Sequence, residues 1–163
     1  MEHLIDKNYF WGGLYIPDLS EARDAAELDR YIAKYQKEYI KRMFGVEYAN
    51  LDELPDELVA ELRDETMLVS PIANFVYFYY QRDKATVSTA SGEKQVSIQS
   101  TAAVSPNEKL VRAWNEMVEM SAEIHRKLYA GEVTIAGVDY LEDIYANIKP
   151  TDDIFCFINP YNV

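Results

Sequence analysis

Residues 70–80 constrain the fold of this chain more than any other segment. They read SPIANFVYFYY, so apolar and aromatic side chains would cover every direction around a helix axis. Ser70 can accept hydrogen bonds from the N–H groups of the first turn, and a proline at position 71 costs nothing as the first helical residue. A helix that is apolar all round is buried on all sides. We therefore predict a helix from Pro71 to about Lys84 that is either central or covered on one face by another subunit.

The segment from 105 to 130 has the clearest helix signals in the chain. Ser105 and Glu108 are spaced as a capping box, Pro106 occupies the first helical position, and Gly131 is placed to end the helix. Its apolar positions recur at steps of three and four, which predicts a buried stripe rather than a separate coiled coil. The stripe consists of Leu110, Trp114, Met117, Ser121, Ile124 and Leu128.

Two more helices are predicted before residue 70. The first begins after Ser20 and ends at Gly45, which we expect in the left-handed cap conformation. Its buried stripe is Ala25, Leu28, Ile32, Tyr35, Tyr39 and Met43. The opposite face carries Arg30, Lys34, Lys37 and Lys41, and we expect it to meet solvent or an acidic neighbour. Pro55 opens the second helix, which is short, amphipathic and acidic.

These elements predict an all-α protein, a small helical bundle with extended terminal arms. Residues 1–19 form an N-terminal arm, residues 20–130 the helical core domain, and residues 131–163 a C-terminal arm. A long loop at 85–104 interrupts the core, and its Ser91-Gly92-Glu93 turn signal predicts a hairpin-like excursion. The 13 Tyr and 6 Phe residues supply more aromatic surface than we expect one copy to bury alone.

Charge narrows the range of partners. The chain has 16 basic and 28 acidic residues and a net charge of −12, which disfavours sequence-specific nucleic-acid binding. Acidic residues concentrate at 51–65 and 131–163, either as solvated faces or as a docking surface for a basic partner. No window is apolar enough for a membrane span and the first residues lack a signal core, so we expect a soluble protein in the cytoplasm or in an assembly made there.

Residues typical of catalysis or metal binding are scattered. His3 and His125 lack the spacing of helical metal ligands, and Gly12-Gly13 alone does not predict a nucleotide site. The single cysteine, Cys156, excludes an intramolecular disulfide and lies in an apolar run that predicts a buried, inert thiol. The carboxylates of 116, 119 and 123 alternate with Arg and Lys, which favours ordinary pairing along a helix. We expect no cofactor, no metal and no enzymatic activity.

Several of these landmarks together carry a resemblance to a known family. They are residues 70–77 (SPIANFVY), 80–83 (YQRD), 104–106 (VSP) and 111–118 (VRAWNEMV). Over about residues 4–130 the chain resembles the head–tail connector (adaptor) proteins of tailed bacteriophages, as found in phages and prophages of Bacteroidales.

The resemblance implies a structural virion protein at the head–tail junction, assembled in the bacterial cytoplasm. Such a subunit would form a homo-oligomeric ring, a dodecamer, between the portal protein and tail or other neck proteins, and DNA would pass through the ring. The loop and the C-terminal arm would then contact neighbouring subunits or the portal. The interface residues implied are Val87, Val96, Ile98, Tyr140, Phe155, Phe157 and Tyr161.

Two other classes of function stay open at this point. One is a small helical ligand-binding module or enzyme with a tyrosine-lined pocket around Tyr77, Tyr79 and Tyr80. The other is a regulatory protein that binds a basic partner through residues 51–65.

Overall fold

A computed structural model describes residues 3–17, 19–45, 54–84, 86–89, 92–95, 106–133 and 152–158. These residues are mostly helical, as the all-α prediction requires. The α-helices are α1 (Ala22–Phe44), α2 (Asp56–Leu62), α3 (Pro71–Lys84) and α4 (Pro106–Tyr129), with a short hairpin of β1 (Thr86–Thr89) and β2 (Gly92–Gln95) after α3. Short 3₁₀ helices occupy Lys7–Tyr9, Gly12–Leu14 and Asp152–Phe155.

Helix α3 is the central element and packs against both α1 and α4. Every residue from Pro71 to Tyr80 is buried, and residues of the same chain cover them. The predicted cap is present: Ser70 Oγ accepts a hydrogen bond from the N–H of Ile72 at 3.1 Å and donates one to the Leu62 carbonyl at 2.7 Å. Of the two placements left open by the sequence, the structure has the central one.

Aromatic rings join α3 to its neighbours. Tyr79 stacks on Tyr35 of α1 with ring centroids 4.3 Å apart, and Phe78 meets Trp114 of α4 at 4.8 Å. Such ring pairs contribute about 0.5–1.5 kcal/mol beyond the area they bury. Much of the aromatic surface predicted to need a companion is therefore covered inside one chain.

The long helices bury the stripes predicted for them. In α4 all six stripe positions are buried, and in α1 the stripe from Leu28 to Met43 is buried while Ala25 is partly exposed. Gly131 ends α4 with φ 69°, and the N–H groups of Gly131 and Glu132 donate to the carbonyls of Leu128 and Lys127, which is a Schellman motif.

The cap of α1 differs from the predicted left-handed one. Gly45 has φ 107° and ψ 170°, an extended region that only glycine populates readily. Its N–H still donates to the Lys41 carbonyl at 3.0 Å, so the helix ends where predicted. The helix therefore ends in an extended glycine and not in a left-handed one.

The segment predicted as an N-terminal arm supplies part of the core. Leu4, Ile5, Tyr9, Phe10 and Ile16 are all buried in the same apolar cluster as the helices. The side-chain carbonyl of Gln36, a fully buried residue of α1, accepts the N–H of Leu4 at 3.0 Å. The Gln36 side chain thus holds the backbone at Leu4 against α1, where the N-terminal segment joins the core.

The predicted excursion after α3 begins as a hairpin. β1 and β2 pair antiparallel, with Thr86 opposite Gln95 and Thr89 opposite Gly92. The alternating pattern expected at 95–99 and the capping serine at 105 lie almost entirely outside the described residues. Within the described ranges, no helix has both the length and the apolar character needed to cross a membrane.

Candidate functional site

The structure describes the side chains of two of the predicted interface residues, Phe155 and Phe157. Val87 is described only by its position in β1, and Val96, Ile98, Tyr140 and Tyr161 lie outside the described residues. The two phenylalanines occupy different surroundings. Phe155 is partly buried, with its ring 5.1 Å from that of His125, whereas Phe157 is 62% exposed.

The segment 152–158, here called the tail segment, is attached to α4 by side-chain hydrogen bonds. Trp114 Nε1 donates to the Cys156 carbonyl at 2.8 Å. Asn115 accepts the N–H of Ile158 through Oδ1 at 2.9 Å and donates to its carbonyl through Nδ2 at 3.3 Å. These bonds lie on both sides of Phe157 along the chain. The tail segment therefore holds Phe157 outward in a defined position.

The position of Cys156 corrects the expectation of a buried thiol. Its carbonyl faces α4 through the bond to Trp114, and its side chain is exposed. Ile154, two residues earlier, is the fully buried member of the apolar run. A run of apolar residues in an irregular segment does not define which side chains face inward, because no helical or strand period orders them.

A second surface begins at the turn between α2 and α3, which sequence reasoning missed. Asp64 Oδ1 accepts the N–H groups of Thr66 and Met67, each at 2.8 Å, and the backbones of Asp64 and Val69 form an antiparallel bridge. Leu68 has φ 52°, which is uncommon for a residue with a side chain this large. The Asp64–Glu65–Thr66 step is an Asx-turn signal that the sequence did contain.

This turn exposes apolar side chains in a fixed arrangement. Met67 is 59% exposed and Val69 is 42% exposed. On the other side of the turn, Trp11 Nε1 donates to the Leu68 carbonyl at 3.0 Å and secures it. The turn and α4 line an open groove with a volume of about 570 Å³. We call it the methionine groove; its lining includes Met67, Val69, Pro71, Met120 and Ile124.

Carboxylates also line the methionine groove, and they are Glu61, Asp64, Glu119 and Glu123. Glu61 pairs with Lys127 at 2.6 Å and Glu123 with Arg126 at 2.8 Å. Glu119 has no ion-pair partner among the described residues. The groove thus joins an apolar floor to a partly neutralised acidic edge, and two of its acids come from the 51–65 stretch singled out by the sequence.

The two histidines occupy different surroundings. His3 Nδ1 is 2.9 Å from Gln36 Nε2, and the ring of His125 packs 4.2 Å from that of Tyr129. Burial lowers the pKa of His125, whose Nε2 has no hydrogen-bond partner among the described residues. No group of three or more His, Cys, Asp or Glu suited to a metal occurs among the residues that the structure describes.

The tyrosines considered for a ligand pocket fill the helix interfaces. Tyr77, Tyr79 and Tyr80 are at most 9% exposed, and Tyr80 packs edge-on against Tyr31 at 5.1 Å. Burial raises the pKa of Tyr77 and Tyr80. Burial and the nearby Asp83 carboxylate raise the pKa of Tyr31 to about 12. The hydroxyls of Tyr31, Tyr77 and Tyr80 are therefore harder to ionise than that of a free tyrosine.

Of the three carboxylates predicted to pair along α4, Glu116 and Glu123 do so, and Glu119 has no ion-pair partner among the described residues. Arg126 pairs with Glu123 three residues earlier, and Arg112 lies 3.8 Å from Glu116 one turn later. Both pairs are solvent-exposed, and exposed pairs of this kind contribute little to stability.

None of three comparisons, with protein-family models, curated proteins and solved structures, gives a match to this chain. The resemblance to connector proteins therefore stays a prediction from the sequence.

Proposed function

We propose that this chain is a structural subunit of an oligomeric assembly of the head–tail connector kind. In this proposal it forms a ring, a dodecamer as the resemblance implies, between a portal protein and the tail of a phage particle. The observation that carries the proposal is Phe157, an aromatic side chain 62% exposed on a backbone bonded to α4 on both sides.

Two physical features make such a residue suited to a protein interface. Burying a phenylalanine side chain is favourable by about 1.5–3 kcal/mol. A partner that covers the ring of Phe157 would therefore gain binding free energy. A side chain whose backbone is already fixed also loses less conformational entropy on association. Asn115 and Trp114 supply that fixation here. Helix α4 thus holds the tail segment in a fixed position.

The first experiment measures the mass of the full chain by light scattering and images it by negative-stain electron microscopy. We expect a discrete oligomer with a ring outline. Phe157→Ser should shift the mass toward the monomer, because it removes the exposed ring without touching the core. Tyr15→Ser is the matched control, since Tyr15 is also 62% exposed but belongs to the N-terminal segment. That variant should keep the wild-type mass.

Two results contradict the proposal. One is a wild-type chain that stays monomeric at all concentrations tested. The other is an oligomer whose mass responds equally to Phe157→Ser and Tyr15→Ser.

A further inference from the structure

The outward face of α1 carries cations in a line. Arg23, Arg30, Lys34, Lys37 and Lys41 are all exposed and lie opposite the buried stripe of the helix. At 1.5 Å per residue the line is about 27 Å long. We call it the α1 basic stripe. Such a stripe is unusual in a chain with 28 acidic and 16 basic residues.

The charge of the stripe is largely uncompensated within the described residues. Glu27, the acid on the same face, pairs with Lys84 at 2.6 Å. Arg23, Arg30, Lys37 and Lys41 have no carboxylate partner among the described residues. Cations left without partners keep their full attraction for an acidic surface brought close to them.

The methionine groove is the complementary surface on the same chain. Its edge carries Glu61, Asp64, Glu119 and Glu123, and its floor exposes Met67 and Val69. Lysine and arginine side chains have long apolar stems that cover apolar surface while their charged ends reach carboxylates. Unbranched methionine side chains adapt well to such stems. The groove thus offers apolar surface to the stems and carboxylates to the charged ends.

We propose that the methionine groove of one copy binds the α1 basic stripe of the next copy, an inference that rests on the proposed oligomeric function. Two copies of net charge −12 repel each other in general, so contact is favoured where the exposed cations of one face the acids of the other. When each copy uses its groove with one neighbour and its stripe with another, the contact is head-to-tail. Head-to-tail contacts generate rings when the rotation between copies closes.

Charge reversal of each surface tests this inference in the full chain. The stripe variant is Arg30→Glu with Lys37→Glu, which avoids the last turn of α1 where a cation stabilises the helix. The groove variant is Glu119→Lys with Glu123→Lys. Each alone should lower the mass from the wild-type oligomer to one subunit. An equimolar mixture should recover an oligomer, because each variant then offers the other an opposite charge.

The mixture also excludes a folding defect as the cause, since recovery needs both variants to be folded. Lys7→Glu with Lys109→Glu is the control for the stripe variant, with the same change in net charge at exposed positions outside both surfaces. It should keep the wild-type mass. Raising NaCl to about 1 M should dissociate the wild-type oligomer, because the Debye length falls to about 3 Å.

The outcomes separate this inference from the proposed function. If wild type forms oligomers and both reversal variants keep them, the inference is wrong and the proposed function stands. If wild type is monomeric throughout, both are wrong. Loss of duplex-DNA binding in the stripe variant with an unchanged mass would assign the stripe to nucleic acid and overturn the inference.

Discussion

Ser121 occupies a stripe position of α4 that an apolar residue would fill equally well by periodicity. It is fully buried, and its Oγ donates to the Met117 carbonyl one turn earlier at 2.7 Å. Tyr39 of α1 is also fully buried, with its hydroxyl 2.7 Å from Ser121 Oγ. Since the serine proton goes to Met117, the tyrosine hydroxyl donates to the serine. The Ser121 hydroxyl is thereby the acceptor for the buried Tyr39 hydroxyl. Burial raises the pKa of Tyr39.

This arrangement predicts unequal costs for removing the two partners. Ser121→Ala leaves the buried Tyr39 hydroxyl without its acceptor and should lower the free energy of unfolding by about 1–3 kcal/mol. Tyr39→Phe leaves Ser121 bonded to Met117 and should cost about 1 kcal/mol. Urea unfolding of both variants and of the double variant measures this. The double variant should cost less than the sum of the two, and simple additivity would contradict the shared bond.

His125 predicts a pH dependence of stability. Burial lowers its pKa in the folded state, so the unfolded chain takes up a proton first as pH falls through about 6.5. The stabilising contribution of the neutral ring is therefore present above that pH and decreases below it. Between about pH 7.5 and about pH 5.5 wild type should lose more unfolding free energy than His125→Leu, as measured by urea titration. Equal losses in the two proteins would show that the ring does not contribute.

At the scale of elements, the two glycines that end α1 and α4 have different backbone requirements. Gly131 lies in the left-handed region at φ 69°, where asparagine is tolerated. Gly45, at φ 107° and ψ 170°, lies where side chains of any kind are strained. Both positions look alike in the sequence, since each follows a long amphipathic stretch.

The difference predicts how each glycine responds to substitution. Gly131→Asn should cost only a few tenths of a kcal/mol, and Gly131→Ala about 1 kcal/mol. Gly45→Asn and Gly45→Ala should each cost about 1–3 kcal/mol, because asparagine gains nothing in that region. Melting temperatures of the four variants decide this. A tolerated Gly45→Asn would mean that the helix end takes the left-handed cap expected from the sequence.

At the scale of the whole molecule, one chain covers the central helix that its sequence left open to a partner. The rings of Tyr79, Tyr80 and Phe78 meet residues of α1 and α4, so α3 needs no second subunit. Exposed apolar side chains lie elsewhere, among them Phe157 and those of the methionine groove. The proposals on assembly depend on these surfaces.

Local rules determined the helices of this protein. The spacing of apolar residues at three and four, the serine before α3 and the glycines after α1 and α4 act within a few residues, so sequence alone predicted each helix and its buried face. Phe157 was predicted at an interface through a family resemblance, and its exposure did not follow from any helical or strand periodicity.

Only the tertiary structure decided which side chains of the irregular segments face outward. The tail segment, the 64–69 turn and the N-terminal segment take their directions from bonds to residues distant in sequence, such as Asn115, Trp11 and Gln36. Such bonds need partners that only the packing of the helices brings together.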